Sequence, residues 1–164
     1  PTAKINGSLK LGWFQKHYKN AQPGRNDTFN SFSSLVDLIY NVSRYHILML
    51  RATQLILEDL DTYAPYTILD FSLGYRHFLI SNPKINLNAT IGYGTKSFER
   101  PTTDVDGSIK TRNDKIWYGG IGIGYAIQSW LSCGLNYFYT NDDSNFMNYN
   151  YQQNVVMVYL RGAL

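Results

Sequence analysis

Three observations predict an all-β chain folded as a transmembrane antiparallel up-and-down β-barrel, with about eight strands in this chain. Apolar and polar residues alternate with a period of two along most of the sequence, the alternating segments are long, and aromatic residues gather at both ends of them. The 164 residues suit one domain, since domains commonly run ~100–150 residues. Charged residues make up only 16% of the chain and aromatics reach 15%, including 14 Tyr, against ~25% charged in ordinary soluble domains. Part of the surface is therefore expected to face something other than water. The longest apolar stretches, 47–50 and 155–160, are far shorter than the ~20 residues of a membrane helix, which excludes a helical membrane protein.

The first strand is expected over 3–17, with Ile5, Leu9, Leu11 and Trp13 on one face and Lys4, Asn6, Ser8 and Lys10 on the other. The second, over 28–41, alternates Phe32, Val36, Leu38 and Tyr40 with Ser31, Ser33 and Asp37. The third, near 45–57, is the weakest: residues 46–50 are apolar on both faces and resemble a buried helical segment. The fourth, 66–78, sets Leu69, Phe71, Leu73 and Tyr75 against Asp70, Ser72 and Arg76.

A turn at Asn82-Pro83 leads to the fifth strand, 84–98, where Ile85, Leu87, Ile91 and Tyr93 oppose Asn86, Asn88 and Thr90. The sixth, 115–126, places Trp117, Ile121, Ile123 and Tyr125 opposite Tyr118, Gly120, Gly122 and Gly124. Glycines inside a strand let neighbouring side chains pack across them. After a turn at Ile127-Gln128, Leu131, Cys133, Leu135, Tyr137 and Tyr139 form the apolar face of the seventh strand. The last strand closes with Val156, Val158 and Leu160 against Met157, Tyr159 and Arg161.

A soluble β-sandwich also has one apolar and one polar face, so three further features decide for a membrane. The segments run to about 11–15 residues, against ~5–6 for ordinary strands and ~9–11 for tilted membrane strands. The polar face is Asn, Ser, Thr and Gly rather than Lys and Glu, which suits a crowded lumen. Trp13, Tyr18, Tyr66, Phe98, Trp117, Tyr139, Tyr149 and Tyr151 gather at one set of strand ends; Tyr40, Tyr45, Tyr75, Phe78, Tyr125 and Trp130 gather at the other. Two such rings match interfacial girdles.

Links near 42–44, 79–83 and 126–129 look short, and those near 19–27, 58–65, 99–114 and 140–148 look long and polar. Barrels of bacterial outer membranes have short periplasmic turns and long external loops, so both termini are expected in the periplasm. Before Pro1 there is no initiating Met or apolar leader, so the chain reads as a processed form or a fragment. The halves 1–80 and 81–164 resemble a duplication: Lys4-Ile5-Asn6 matches Lys84-Ile85-Asn86, Gly12 matches Gly92 and Lys16 matches Lys96. Arg25-Asn26-Asp27 likewise matches Arg112-Asn113-Asp114. An Arg and an Asp two residues apart share one side of a strand, so Arg25 with Asp27 and Arg112 with Asp114 are candidates for ion pairing along the rim.

The Arg-Asn-Asp strand starts, the Asp142-Asp143-Ser144-Asn145 segment and the closing Tyr149-x-Tyr151-x-x-Asn154-Val155 together resemble outer-membrane β-barrel porins associated with exopolysaccharide loci. The resemblance covers most of the chain on short motifs. It implies passage of saccharide or polysaccharide, and, because such proteins are usually longer, that these strands are part of a larger barrel. Leu164 departs from the aromatic residue that often ends such chains.

Charges on the polar face are the best functional candidates, because an ionised group inside a barrel must be paired or hydrated. They are Lys4, Lys10, Asp37, Arg51, Asp70, Arg76 and Arg161. They serve either as a salt-bridged plug or as a lining selective for anionic solutes or sugars. Strand number separates the two, since about eight strands are just filled by side chains and ~16 leave an aqueous channel. The expected reading is a non-enzymatic, porin-like barrel with outer-membrane lipid and the barrel-assembly machinery as partners. A closed barrel acting through its external loops in adhesion is the alternative.

A lipid-modifying enzyme ranks third, because His17, His46 and His77 lack a clear Ser partner: Ser97 meets His17 only by strand closure, and Ser81 near His77 lies at a turn. No catalytic residue, cofactor or metal is expected; Asp104-x-Asp106-Gly107 and Asp59-x-Asp61 complete no calcium loop. A net charge of +3 without a Lys/Arg run gives no nucleic-acid partner, and a single Cys forms no internal disulfide.

Overall fold

A computed structural model describes residues 4–17, 28–58 and 65–162. The strands are β1 (Ile5–His17), β2 (Thr28–Asn41), β3 (His46–Glu58), β4 (Pro65–Phe78), β5 (Ile85–Thr103), β6 (Ile109–Gln128), β7 (Leu131–Ser144) and β8 (Tyr151–Gly162), with a short 3-10 helix at Met147–Tyr149. They form one eight-stranded sheet in the order β1 to β8, each strand antiparallel to the next. The up-and-down all-β architecture is the expected one. Among the described residues all strands belong to one sheet and the buried hydrophobic side chains are only Phe29 and Phe146, unlike the packed core between the two sheets of a sandwich. β1 and β8 are the two edges of this order.

Residues directly opposite each other across strands share a face, so the register assigns the faces. One row runs Leu9, Val36, Ala52, Phe71, Tyr93 and Trp117. The adjoining row runs Ser8, Asp37, Arg51, Ser72, Gly92, Tyr118, Thr140 and Gln153. The apolar face carries exposed Leu9, Trp13, Phe71, Ile121, Val156, Val158 and Leu160 from edge to edge. A contiguous apolar surface of that breadth needs a cover other than water. The ambiguous segment 46–50 is strand, because pairing to β2 and β4 on both sides satisfies its backbone groups.

The structure corrects several boundaries. The expected loop 99–114 is largely a hairpin in which β5 and β6 continue outward. Thr102, Thr103, Ile109 and Thr111 favour extended backbone there, and the turn closes through Gly107 at φ 80 with its N–H donating to the Asp104 carbonyl at 2.9 Å. A register shift between Ser97 and Pro101 absorbs the proline, which cannot donate to a ladder. The expected loop 140–148 shortens to 145–150, and the turn expected at 127–128 falls at 129–130.

The described link 104–108 is therefore no longer than 79–84, and between β5 and β6 it is strand extension, not loop length, that sets this end apart. The links 19–27 and 58–65 lie largely outside the described residues, as does Arg25-Asn26-Asp27. The expected aromatic ring at the extended end divides between faces: Trp13, Trp117 and Tyr139 lie on the apolar face, whereas Tyr66, Phe98 and Tyr151 lie on the polar one. The reason is parity, since an even-numbered residue on these strands points opposite to an odd-numbered one.

Candidate functional site

The polar face holds a band of charge in the middle of the sheet. Asp37 on β2 stands directly opposite Arg51 on β3, whose Nε donates to Asp37 Oδ1 at 2.6 Å. The Arg51 side chain remains 60% exposed and Asp37 32%. Two strands away, Tyr118 on β6 donates its hydroxyl to both oxygens of Asp70 on β4, at 2.9 Å each. It reaches them across β5 because Gly92 lies between: a Cβ at Gly92 would run into the Tyr118 ring. Phe138 lies over Gly120 in the same way, and Asn88 and Asn136 crowd the position of a Gly122 side chain. The glycines of β5 and β6 thus let large side chains cross the sheet at low height.

Beside the band is a hollow of about 410 Å³ whose lining includes Asp37, Ile39, Met49, Arg51, Ser72 and Thr90. Of the polar-face charges picked out in the sequence, the structure brings Asp37, Arg51 and Asp70 into this neighbourhood. Lys10 opposes Leu35, Arg76 opposes Asn88, and Arg161 opposes Ser132 near the short turns. Lys4 precedes β1, and its carbonyl accepts the Asn41 N–H at 2.7 Å. Tyr118 joins the band without having been singled out; its parity with Gly120 and Gly122, and a glycine-bearing neighbour strand, are the sequence signal for it.

A second group of charges sits at the extended end, and its paired carboxylates are buried. Arg112 Nη2 donates to Asp114 Oδ2 at 2.6 Å and its Nε contacts both carboxylate oxygens, at 2.9 and 3.0 Å. Lys96 Nζ donates to Asp142 Oδ2 at 3.1 Å. The Asp114 and Asp142 side chains are fully buried. At the hairpin tip Lys110 pairs with Asp104 at 2.8 Å, which holds the Asp104 carboxyl below its ordinary value and Lys110 above its own. The Asp106 carboxylate is also lowered, by hydrogen bonds from the Ser108 hydroxyl and backbone N–H. Arg112 and Asp114 pair with each other along one strand; Lys96 and Asp142 were not among the sequence candidates, because residues 140–144 read as loop.

The histidines lie apart from these groups. His17 Nδ1 is 3.1 Å from Thr28 Oγ1, and His46 Nδ1 is 2.6 Å from the Tyr75 hydroxyl, with His46 and His77 rings 4.7 Å apart. β1 and β5, which carry His17 and Ser97, are not neighbours in the sheet.

Comparison with known families aligns residues 3–161 with the outer membrane protein beta-barrel domain. No curated protein and no solved structure matches the chain.

Proposed function

The chain belongs to the outer membrane protein β-barrel domain family, and from that premise we infer that it forms a non-enzymatic, porin-like path for small solutes or saccharides across the outer membrane. The apolar face then meets lipid, which supplies the cover its exposed Leu, Ile, Val and Trp residues need. The polar face becomes the lumen wall, and the end with the short turns faces the periplasm together with both ends of the described sheet.

The observation that carries the reading is Arg51, whose guanidinium stands 60% exposed on the polar face while Asp37 fixes it through Nε. An arginine oriented in this way presents its remaining donors to a passing anion or to sugar hydroxyls. Saccharide as cargo rests on the resemblance to porins of exopolysaccharide loci. Passage also needs width: about eight strands are just filled, whereas ~16 leave a channel, so β1 and β8 pair outward with further strands in this reading.

The test is conductance of the full-length protein in planar bilayers. Wild type is expected to conduct with a preference for anions, and Arg51→Glu is expected to shift the reversal potential toward cations. Absence of a channel, or an unchanged reversal potential, overturns the reading. A second reading, a closed barrel working through its outer end, is favoured by the β5–β6 extension and its folded rim; it is left standing if no current is found.

A further inference from the structure

A cavity of about 260 Å³ lies where the β5–β6 extension meets the link 145–150, remote from the mid-sheet band. Its lining combines Phe98, Phe146 and Tyr149 with Arg100, Arg112 and Asp104. Aromatic faces beside a few fixed polar groups are the ordinary composition of a small-molecule site.

Arg112 is held from several sides. The guanidinium carbon lies 3.5 Å from the Tyr149 ring centroid and 4.6 Å from that of Phe98, so the group makes cation–π contact with both rings. Asp114, with no exposed side-chain surface, engages Nε and Nη2. Nη1 has no partner among the described residues. The rotamer entropy of the arginine is thus already lost before any ligand arrives, which lowers the cost of binding. The surrounding frame is equally fixed: Lys110 lies over the Phe146 ring at 5.2 Å and pairs with Asp104, tying the link to the hairpin tip. The Tyr149 side of the cavity stays open to solvent.

We propose that this rim cavity is a recognition site for an acidic sugar ring. The apolar C–H face of a pyranose packs on the exposed side of the Tyr149 ring, its carboxylate meets Arg112 Nη1, and its hydroxyls meet Asp104, Thr102 and Asn148, which also line the cavity. The aromatic rings select a ring-shaped ligand over a bare anion; the arginine selects an acidic ring over a neutral one.

Isothermal calorimetry on the full-length protein in detergent micelles tests the site with three probes: trigalacturonate, a neutral galactose trimer and inorganic phosphate. Trigalacturonate is expected to bind at least tenfold more tightly than either of the others. Tyr149→Ala, at an exposed position, is expected to abolish that preference, and Tyr149→Phe to retain it. Equal binding of the acidic and neutral trimers, or trigalacturonate binding unchanged in Tyr149→Ala, overturns the proposal. Binding needs no current, so a protein that binds without conducting fails the passage reading alone, and one that conducts without binding fails this one.

Discussion

The mid-sheet pair Asp37–Arg51 and the rim pair Arg112–Asp114 use the same chemistry and have opposite surroundings. The first is largely open to solvent and the second is buried with its carboxylate fully enclosed. An exposed pair gains little from its own attraction, since water screens it and ordering the side chains costs entropy. A buried pair has lost its hydration, so each partner depends on the other. The difference teaches which charges hold the structure: the Asp114 carboxylate fixes Arg112 and the extended end, leaving only Nη1 for a ligand, whereas the mid-sheet pair contributes little to stability.

The sharpest test of the contrast is to remove one acid from each pair. Asp114→Ala leaves Arg112 uncompensated and is expected to destabilise by about 3–5 kcal/mol, whereas Asp37→Ala is expected to cost about 1 kcal/mol or less. Urea titration in detergent, read by tryptophan fluorescence, measures both. Equal losses would erase the distinction. Next in size is Gly92→Val, whose added atoms run into Tyr118; an expected loss of about 1–3 kcal/mol follows from displacing Tyr118 off Asp70. Gly92→Ala should cost less, and a neutral Gly92→Val would mean that Tyr118 does not cross β5.

The smallest expected effect is local and depends on pH. Asp104 is lowered from its ordinary 3.8, so its contribution to the hairpin tip is present above that value and is lost as pH falls through the depressed one. Lys110 is raised from its ordinary 10.5, so its contribution is present below that value and is lost as pH rises through the raised one. Amide protection at 104–110, that is exchange corrected for its intrinsic pH dependence, is therefore expected to stay flat between those limits and to fall at either extreme, with no matching change in the mid-sheet strands. Loss of protection near neutral pH would remove the Asp104–Lys110 pair from the account.

Most of the sheet was legible because a strand with one apolar face must alternate, and a one-residue slip would turn every side chain over. Residues 28–41 and 66–78 show it: their limits in the structure are Thr28–Asn41 and Pro65–Phe78. Residues 99–114 resisted, since Pro101, Asp104, Asp106 and Gly107 carry loop chemistry although Thr102, Thr103, Ile109 and Thr111 flank them with strand formers. The site was legible in part. Parity put Asp37, Arg51 and Asp70 on one face; it said nothing of distance across strands, so Tyr118 joining Asp70 over Gly92 was hidden.

By itself the sequence determined that this chain is all-β, that its strands are long, and which side chains share a face, because alternation and strand length are local properties of the backbone. Only the tertiary structure decided which charges meet, which of them lose contact with water, and that the β5–β6 extension is a hairpin folded against the link 145–150. Those depend on register between strands and on residues far apart in the chain, such as Lys96 with Asp142, whose pairing no local pattern encodes.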